Sequence, residues 1–162
     1  MAGESYNIPQ APRMLGQFGV RTAFGHILPP NGRVAAYVCN GSILDGADKY
    51  VQGKLVSTLA AGLARCRPGY GDTVYVMPGH SESGVGTTGL ANLIDGTRII
   101  GVGKGSAMPT FRWTAATDNW ALNKADVVIS GLKLRMEGAN GVTTALTVSA
   151  ADCTVKDCDI ET

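Results

Sequence analysis

The sequence predicts an all-β domain, one chain wound as a parallel β-helix of about four turns with a single helix at its lower end. Three observations carry this expectation. Two strand-like runs repeat 26 residues apart, Gly-opened apolar runs recur at similar intervals before them, and only one stretch has helical period.

The repeat pairs ADVVISGLKLR (125–135) with ADCTVKDCDIE (151–161). Val127, Ile129, Leu132 and Leu134 fall on Cys153, Val155, Cys158 and Ile160. Alternation marks a strand with one buried face, and the longer step at Ser130-Gly131 or Lys156-Asp157 marks a bend or bulge. Lys133 falls on Asp159 and Arg135 on Glu161. Stacked in register, such residues sit ~4.8 Å apart at the backbone. Each exposed pair would contribute only about 0–1 kcal/mol. Their weight is as evidence of register, because a one-residue slip would turn the apolar set outward. GDTVYVMPG (71–79) and GTRIIGVGKG (96–105) read as earlier turns of the same coil. The steps from Gly71 to Gly96, Ala125 and Ala151 are 25, 29 and 26 residues. Repeats of this length signal a solenoid, and their richness in Val, Ile, Thr and Gly points to strands.

Residues 1–33 differ from the rest. Pro9, Pro12, Pro29 and Pro30 break regular structure, yet Tyr6, Phe18, Phe24 and Leu28 make the stretch too apolar for a merely solvated tail. It reads as an extended arm that lies on another surface or folds back on its own domain. Tyr6, Phe18, Phe24, His26 and Leu28 are its candidate contact residues.

Residues 34–162 form the β-helix domain. Val34–Val38 is the candidate first strand. Asp45 or Asp48 suits a helix cap, and Leu55, Leu59, Leu63 and Cys66, beside Val51 and Val56, make one apolar stripe. The stripe predicts a helix over about 49–66, ended by Pro68-Gly69 and laid across the first turn to seal the open coil. At the far end the strand pattern runs up to Thr162. Either another subunit seals that end, or the chain is the N-terminal part of a longer coil, the reading the pattern favours.

Composition sets outer bounds. The chain has 162 residues, which suits one domain, with 17% charged residues and 22 glycines. Net charge is +1, which implies no general attraction to nucleic acid or an anionic membrane. No apolar run approaches the ~20 residues that span a bilayer. MAGESYNIPQAPR lacks the charged start and apolar core of a secretory signal. Cys39, Cys66, Cys153 and Cys158 form no CxxC pair and the chain has two histidines, so neither a zinc site nor a cofactor is expected. Cys153 and Cys158 read as small buried hydrophobes rather than a disulfide.

No motif displays a chemistry. GVGKGS (101–106) has Lys-Gly-Ser where a phosphate loop needs Gly-Lys-Ser, and Met108-Pro109 where its helix should begin. Asp126 and Asp152 share the 26-residue spacing; a turn role outweighs a cation site, which needs more oxygen ligands. Asp157, Asp159 and Glu161 cluster, but nothing places two of them around a substrate. His80-Ser81-Glu82 has triad letters in a sequence-adjacent arrangement that rarely converges. Trp113 and Trp120, with Phe111, could line a sugar groove, anchor a partner or pack a core. Asn40-Gly41-Ser42 matches a glycosylation acceptor, of no use in a chain made without secretion.

A strand, a DG loop, an amphipathic helix and then PGYGDTVYVMPG (68–79) resemble the opening module of right-handed β-helix proteins of the pectin-lyase-like superfamily. Pro68-Gly69, Gly71-Asp72-Thr73-Val74 and Pro78-Gly79 carry the likeness, with Tyr70 inserted, and it extends over about three quarters of the chain. The resemblance implies a right-handed coil. It is silent on activity, because that superfamily holds lyases, hydrolases, epimerases, adhesins and bacteriophage tailspike and virion proteins. RTAFGHILPPNGRVAAYV together with GDTVYVMPGHSES further resembles structural proteins of bacteriophages. That likeness implies a non-enzymatic virion component: a capsid decoration or cement protein, or the base of a head or tail fibre. It would be made in the bacterial host cytoplasm and dock through its arm on the major capsid or another virion protein. A homo-oligomer is implied, a trimer among the options. The alternatives are a tailspike-like, polysaccharide-active enzyme and a carbohydrate-binding module whose Trp113 and Trp120 stack on a host glycan.

Overall fold

The computed structural model of the chain describes residues 32–40, 54–84, 89–137, 141, 144 and 146–162. Strands dominate them: β1 (Val34–Val38), β2 (Leu55–Val56), β3 (Thr73–Val76), β4 (Ser81–Ser83), β5 (Arg98–Gly101), β6 (Thr110–Trp113), β7 (Trp120–Leu122), β8 (Val128–Ser130), β9 (Lys133–Met136), β10 (Leu146–Val148), β11 (Thr154–Lys156) and β12 (Asp159–Glu161). One α-helix, α1 (Leu59–Leu63), lies between β2 and β3. The strands stack as three sheets, ordered β11-β8-β5-β3-β1-β2, β12-β9-β6-β4 and β10-β7. Every pairing is parallel. The chain is therefore a parallel β-solenoid of about three turns.

The matched runs lie directly one above the other. Val128 pairs with Thr154 and Ile129 with Val155; Lys133 pairs with Asp159 and Arg135 with Glu161. Along the first sheet Thr73 pairs with Arg98 and Arg98 with Val128, steps of 25 and 30 residues. The second step is one longer than the interval read from Gly96 to Ala125. The reason is visible at the corners. Gly71, Gly96, Asp126 and Asp152 each enter a first-sheet strand with φ between 57° and 76°, so Asp126, not Ala125, is the counterpart of Gly96. Glycine takes that conformation freely and aspartate tolerates it. Gly131 and Asp157, at φ 69° and 53°, make the next corner of the upper two rungs.

Alternation along each strand turns one set of side chains inward. Ala36, Val38, Val74, Val76, Ile99 and Ile129 line the first sheet's inner face. Phe111, Trp113, Trp120, Leu122, Leu132 and Leu134 fill the rest of the interior. The Phe111 and Trp120 rings approach to 4.9 Å between centroids, and Trp113 meets Trp120 at 5.3 Å in an edge-on contact. Such pairs contribute roughly 0.5–1.5 kcal/mol beyond their buried area.

The helix is shorter than the apolar stripe predicts. Thr58 caps it, its hydroxyl accepting the Ala61 N–H at 3.3 Å, so Leu59 is its first residue. Leu55 and Val56 are not helical: they pair as a strand with Tyr37 and Val38. Residues 49–53, with Val51, lie outside the described residues. Leu59, Gly62 and Leu63 are the buried face of α1. A Cβ on Gly62 would stand 3.0 Å from Val74 Cγ1 and 3.1 Å from Val38 Cγ2, so glycine lets the helix sit against β1 and β3.

A second apolar cluster occupies the outer face of the first sheet. Tyr37, Tyr75, Met77 and Ile100 are buried there, and the two tyrosine rings stack at 5.9 Å. Leu55 packs with this outer cluster, while Val56 packs with the interior.

Backbones approach closely where Gly101, at the end of β5, meets the Gly131 corner that follows β8. A Cβ on Gly101 would collide with the Gly131 carbonyl oxygen and stand 2.8 Å from Leu132 Cδ2. Gly101→Ala should therefore destabilise the chain by about 2–3 kcal/mol in urea unfolding. Gly69→Ala, at φ 73° but facing open space, should lose only about 1 kcal/mol. Equal losses would contradict the close approach.

Candidate interaction surfaces

The triad letters around His80 form a buried brace. The His80 side chain is fully buried, its Nδ1 accepting the Asn40 N–H at 3.1 Å. With Nδ1 an acceptor, the ring proton sits on Nε2 and is donated to Glu82 Oε1 at 3.0 Å. The same oxygen accepts the Leu59 N–H at 2.7 Å, which satisfies a free donor at the start of α1. Asn40 completes the brace. Its Oδ1 accepts the Ser81 N–H at 3.2 Å and its Nδ2 donates to the Ser81 carbonyl, imitating one more strand beneath β4. Phe111 closes over the imidazole at 5.7 Å. These groups tie the end of β1, the start of α1 and β4 together.

Asp72 makes a second tie. It is wholly buried, yet it faces two arginines. Arg67 donates Nη2 to Oδ1 at 2.7 Å and Nε to Oδ2 at 3.0 Å, and its backbone N–H adds a 3.0 Å bond. Arg33 gives its backbone N–H at 3.1 Å and brings its Nε to 3.4 Å. Burial alone would raise this carboxyl. The Arg67 hydrogen bond, the two backbone N–H groups and the Arg67 charge outweigh it and hold Asp72 below the ordinary carboxylate value. Arg33 also donates Nη2 to the Arg65 carbonyl at 3.2 Å. Arg33 is therefore tied to the body of the domain.

Of the clustered carboxylates, Asp159 and Glu161 are ion-paired from the rung below. Lys133 Nζ lies 3.4 Å from Asp159 and donates to Glu161 Oε1 at 2.7 Å, the diagonal neighbour being nearer than the one directly above. Arg135 reaches Glu137 at 3.1 Å and Glu161 at 3.8 Å. Hydrogen bonding to Glu161 raises the Lys133 ammonium, and the reciprocal bond to Lys133 lowers the Glu161 carboxyl. Asp126, Asp152 and Asp157 are corner residues in the left-handed conformation, the turn role their spacing suggested. No group of three metal-ligating side chains occurs among the described residues. In GVGKGS, residues Gly105–Ala107 make a single 3-10 turn whose Ala107 carbonyl accepts the Gly79 N–H at 2.9 Å. Burial, reinforced by Asp72, pushes the Cys66 thiol up to about 12.

Trp113 and Trp120 are 0% exposed. As interior packing they reach neither partner nor sugar, so the contact role expected for them gives way to a core role. An outward groove of about 360 Å³ does lie behind Trp120 on the same strand. Leu90, Leu93 and Ala121 line it with Asn119, Asn123 and Lys124. Tyr6, Phe18, Phe24, His26 and Leu28 lie outside the described residues.

The rung of β10, β11 and β12 is less covered than the rungs below it. Val148 and Ile160 are 51% and 53% exposed, and Leu146, Cys153, Val155 and Cys158 are only half-buried. One rung lower, Val127, Ile129 and Leu132 are fully buried. Comparison with known proteins finds no matching family model, curated protein or solved structure.

Asp72 generates a pH prediction. Its folded-state pKa is depressed, so its contribution is present above the unfolded carboxylate value of about 3.9 and is lost as pH falls through the folded value. Stability measured by urea unfolding should fall as pH drops below about 4. Asp72→Asn should cost about 1–3 kcal/mol at pH 7 and flatten that acid limb. An unchanged acid limb in the variant would contradict the assignment.

Proposed function

We propose that the chain is a non-enzymatic structural component of a bacteriophage virion. It would serve as a capsid decoration or cement protein, or as the base of a head or tail fibre. The observation that supports this reading is the join between Arg33 and Asp72, which fixes the first described residues to the coil. That geometry suits a stiff body held by a separate arm. Right-handed winding, the hand that parallel crossovers take, and a sealing role for α1 at the lower end complete the proposal. Docking then means burial of Tyr6, Phe18 and Phe24 on the major capsid or another virion protein, with no turnover. Copies of the chain would be held side by side by that shell, as a trimer in one arrangement.

A second reading is favoured by the groove along β7, whose carboxamides and lysine suit hydrogen bonding to a host glycan. Under it the chain is a carbohydrate-binding module, and Asn119→Ala with Asn123→Ala should abolish glycan binding without unfolding.

Deletion of residues 1–31 tests the first reading. The truncated chain should melt as the full chain does and fail to co-sediment with shells of the bacteriophage that encodes it. Attachment retained by the truncated chain would overturn the arm's role. A full-length chain that fails to co-sediment would overturn the virion reading itself.

A further inference from the structure

We propose that the groove beneath β7 is a docking site for an extended peptide of a partner protein, which adds a parallel strand to the free edge of β7. The peptide carries small apolar side chains at alternate positions and an acidic side chain after them. β7 has β10 above it, so the site is not the coil's upper end. The same groove carries the glycan reading, and the experiment below separates the two occupants.

The edge is the first observation. Among the described strands β7 pairs with β10 alone. The Leu122 carbonyl accepts the Ser149 N–H at 3.0 Å, and Trp120 and Leu122 stand level with Leu146 and Val148. Successive residues of a strand aim their backbone groups at opposite edges. Ala121 therefore aims its N–H and C=O away from β10, and neither has a partner among the described residues. The Asn119 carbonyl and the Asn123 N–H lie on the same edge. The lower edge of β4, by contrast, is met by the Asn40 carboxamide. The groove is the second observation. It holds about 360 Å³, at the small end of the range for ligand sites, and Asn119, Ala121 and Asn123 face Leu90, Ala91 and Leu93 across it.

Hydrogen-bonding geometry selects the occupant. One peptide residue donates to the Asn119 carbonyl and accepts the Ala121 N–H. The residue two further along donates to the Ala121 carbonyl and accepts the Asn123 N–H. Those two stand level with Trp120 and Leu122, whose side chains are interior. Their own side chains turn toward Leu90 and Leu93, which are 8% and 4% exposed, so small ones fit. The parallel direction continues every pairing of the coil and brings the peptide's downstream end to Lys124. That side chain is exposed and has no ion pair among the described residues. Asp95 and Asp118 give their oxygens to backbone N–H groups instead. An acidic side chain on the peptide completes the match. A sugar fits less well, because no aromatic ring on which it could stack lines the groove among the described residues.

The probe is the blocked peptide acetyl-Thr-Ala-Thr-Ala-Asp-amide, titrated into the full chain and followed by NMR of the protein's backbone amides. Saturable shifts should appear at the Ala121 and Asn123 amides. A control peptide methylated on both alanine nitrogens keeps the side chains and loses the donors, and should bind at least tenfold more weakly. Ala121→Pro deletes an N–H that no described residue uses, at an edge position where proline is tolerated. The melting temperature should hold while binding falls about tenfold. Should that variant unfold, the methylated peptide decides alone. Lys124→Glu should weaken binding about threefold and favour a peptide ending in lysine. Equal binding of the two peptides, shifts confined to other strands, or no binding would overturn the proposal. So would a neutral oligosaccharide such as maltohexaose that binds wild type and Ala121→Pro alike where the peptide fails, since the groove would then belong to a glycan.

Discussion

Rung-on-rung register is the constraint on which the rest of this structure depends. A strand of three or four residues has too little buried area to be stable alone. Here every described strand has at least one parallel partner, and six of the twelve have one on each edge. The same register that closes the backbone hydrogen bonds also places Ile99 under Ile129 and Ile129 under Val155. Slip by one residue would carry all three to the outside at once. The charged column of Lys133, Arg135, Asp159 and Glu161 is worth little as surface ion pairing, but it disfavours that slip, because a shifted register would separate the pairs.

Corners and ties let such short strands close a coil. The left-handed residues opening the rungs turn the chain without consuming a strand position, and they do so with Gly at two rungs and Asp at two. At the lower end the two ties have different chemistry. Asp72 is a buried charge made tolerable by two arginines and two backbone N–H groups. His80 and Glu82 instead spend their polar atoms on backbone groups that α1 and β1 would otherwise leave free. Both ties lie where the regular coil gives way to irregular chain, the place where orphaned backbone groups are most numerous.

The parts of this architecture legible in the sequence were those written as periodicity. The 26-residue repeat, its inward set and its opposed charges follow from spacing alone, and the structure stacks them as that spacing requires. The helix boundary was not legible. Leu55 keeps helical spacing with Leu59 and Leu63, yet pairing with Tyr37 makes it a strand residue, and no local pattern encodes that tertiary contact. The outer cluster left a signal that could have been used. Val74–Met77 and Ile99–Val102, with Gly101 inside the second run, do not alternate with polar residues, and strands with one wet face do. The indoles of Trp113 and Trp120 could not be assigned from sequence, because large aromatics serve both cores and interfaces. Nor could the brace, since Asn40 and His80 lie forty residues apart and meet only through the fold.

The stacked register can be tested directly by oxidative cross-linking of paired cysteine substitutions, mapped by mass spectrometry to distinguish them from the four native thiols. Val128→Cys with Thr154→Cys occupies adjacent outward positions within disulfide range for neighbouring strands. That pair should cross-link rapidly, while Val128→Cys with Val155→Cys, one residue out of step and on the opposite face, should not. Equal rates for the two pairs, or faster linkage of the shifted pair, would contradict a coil built of rungs held in this register.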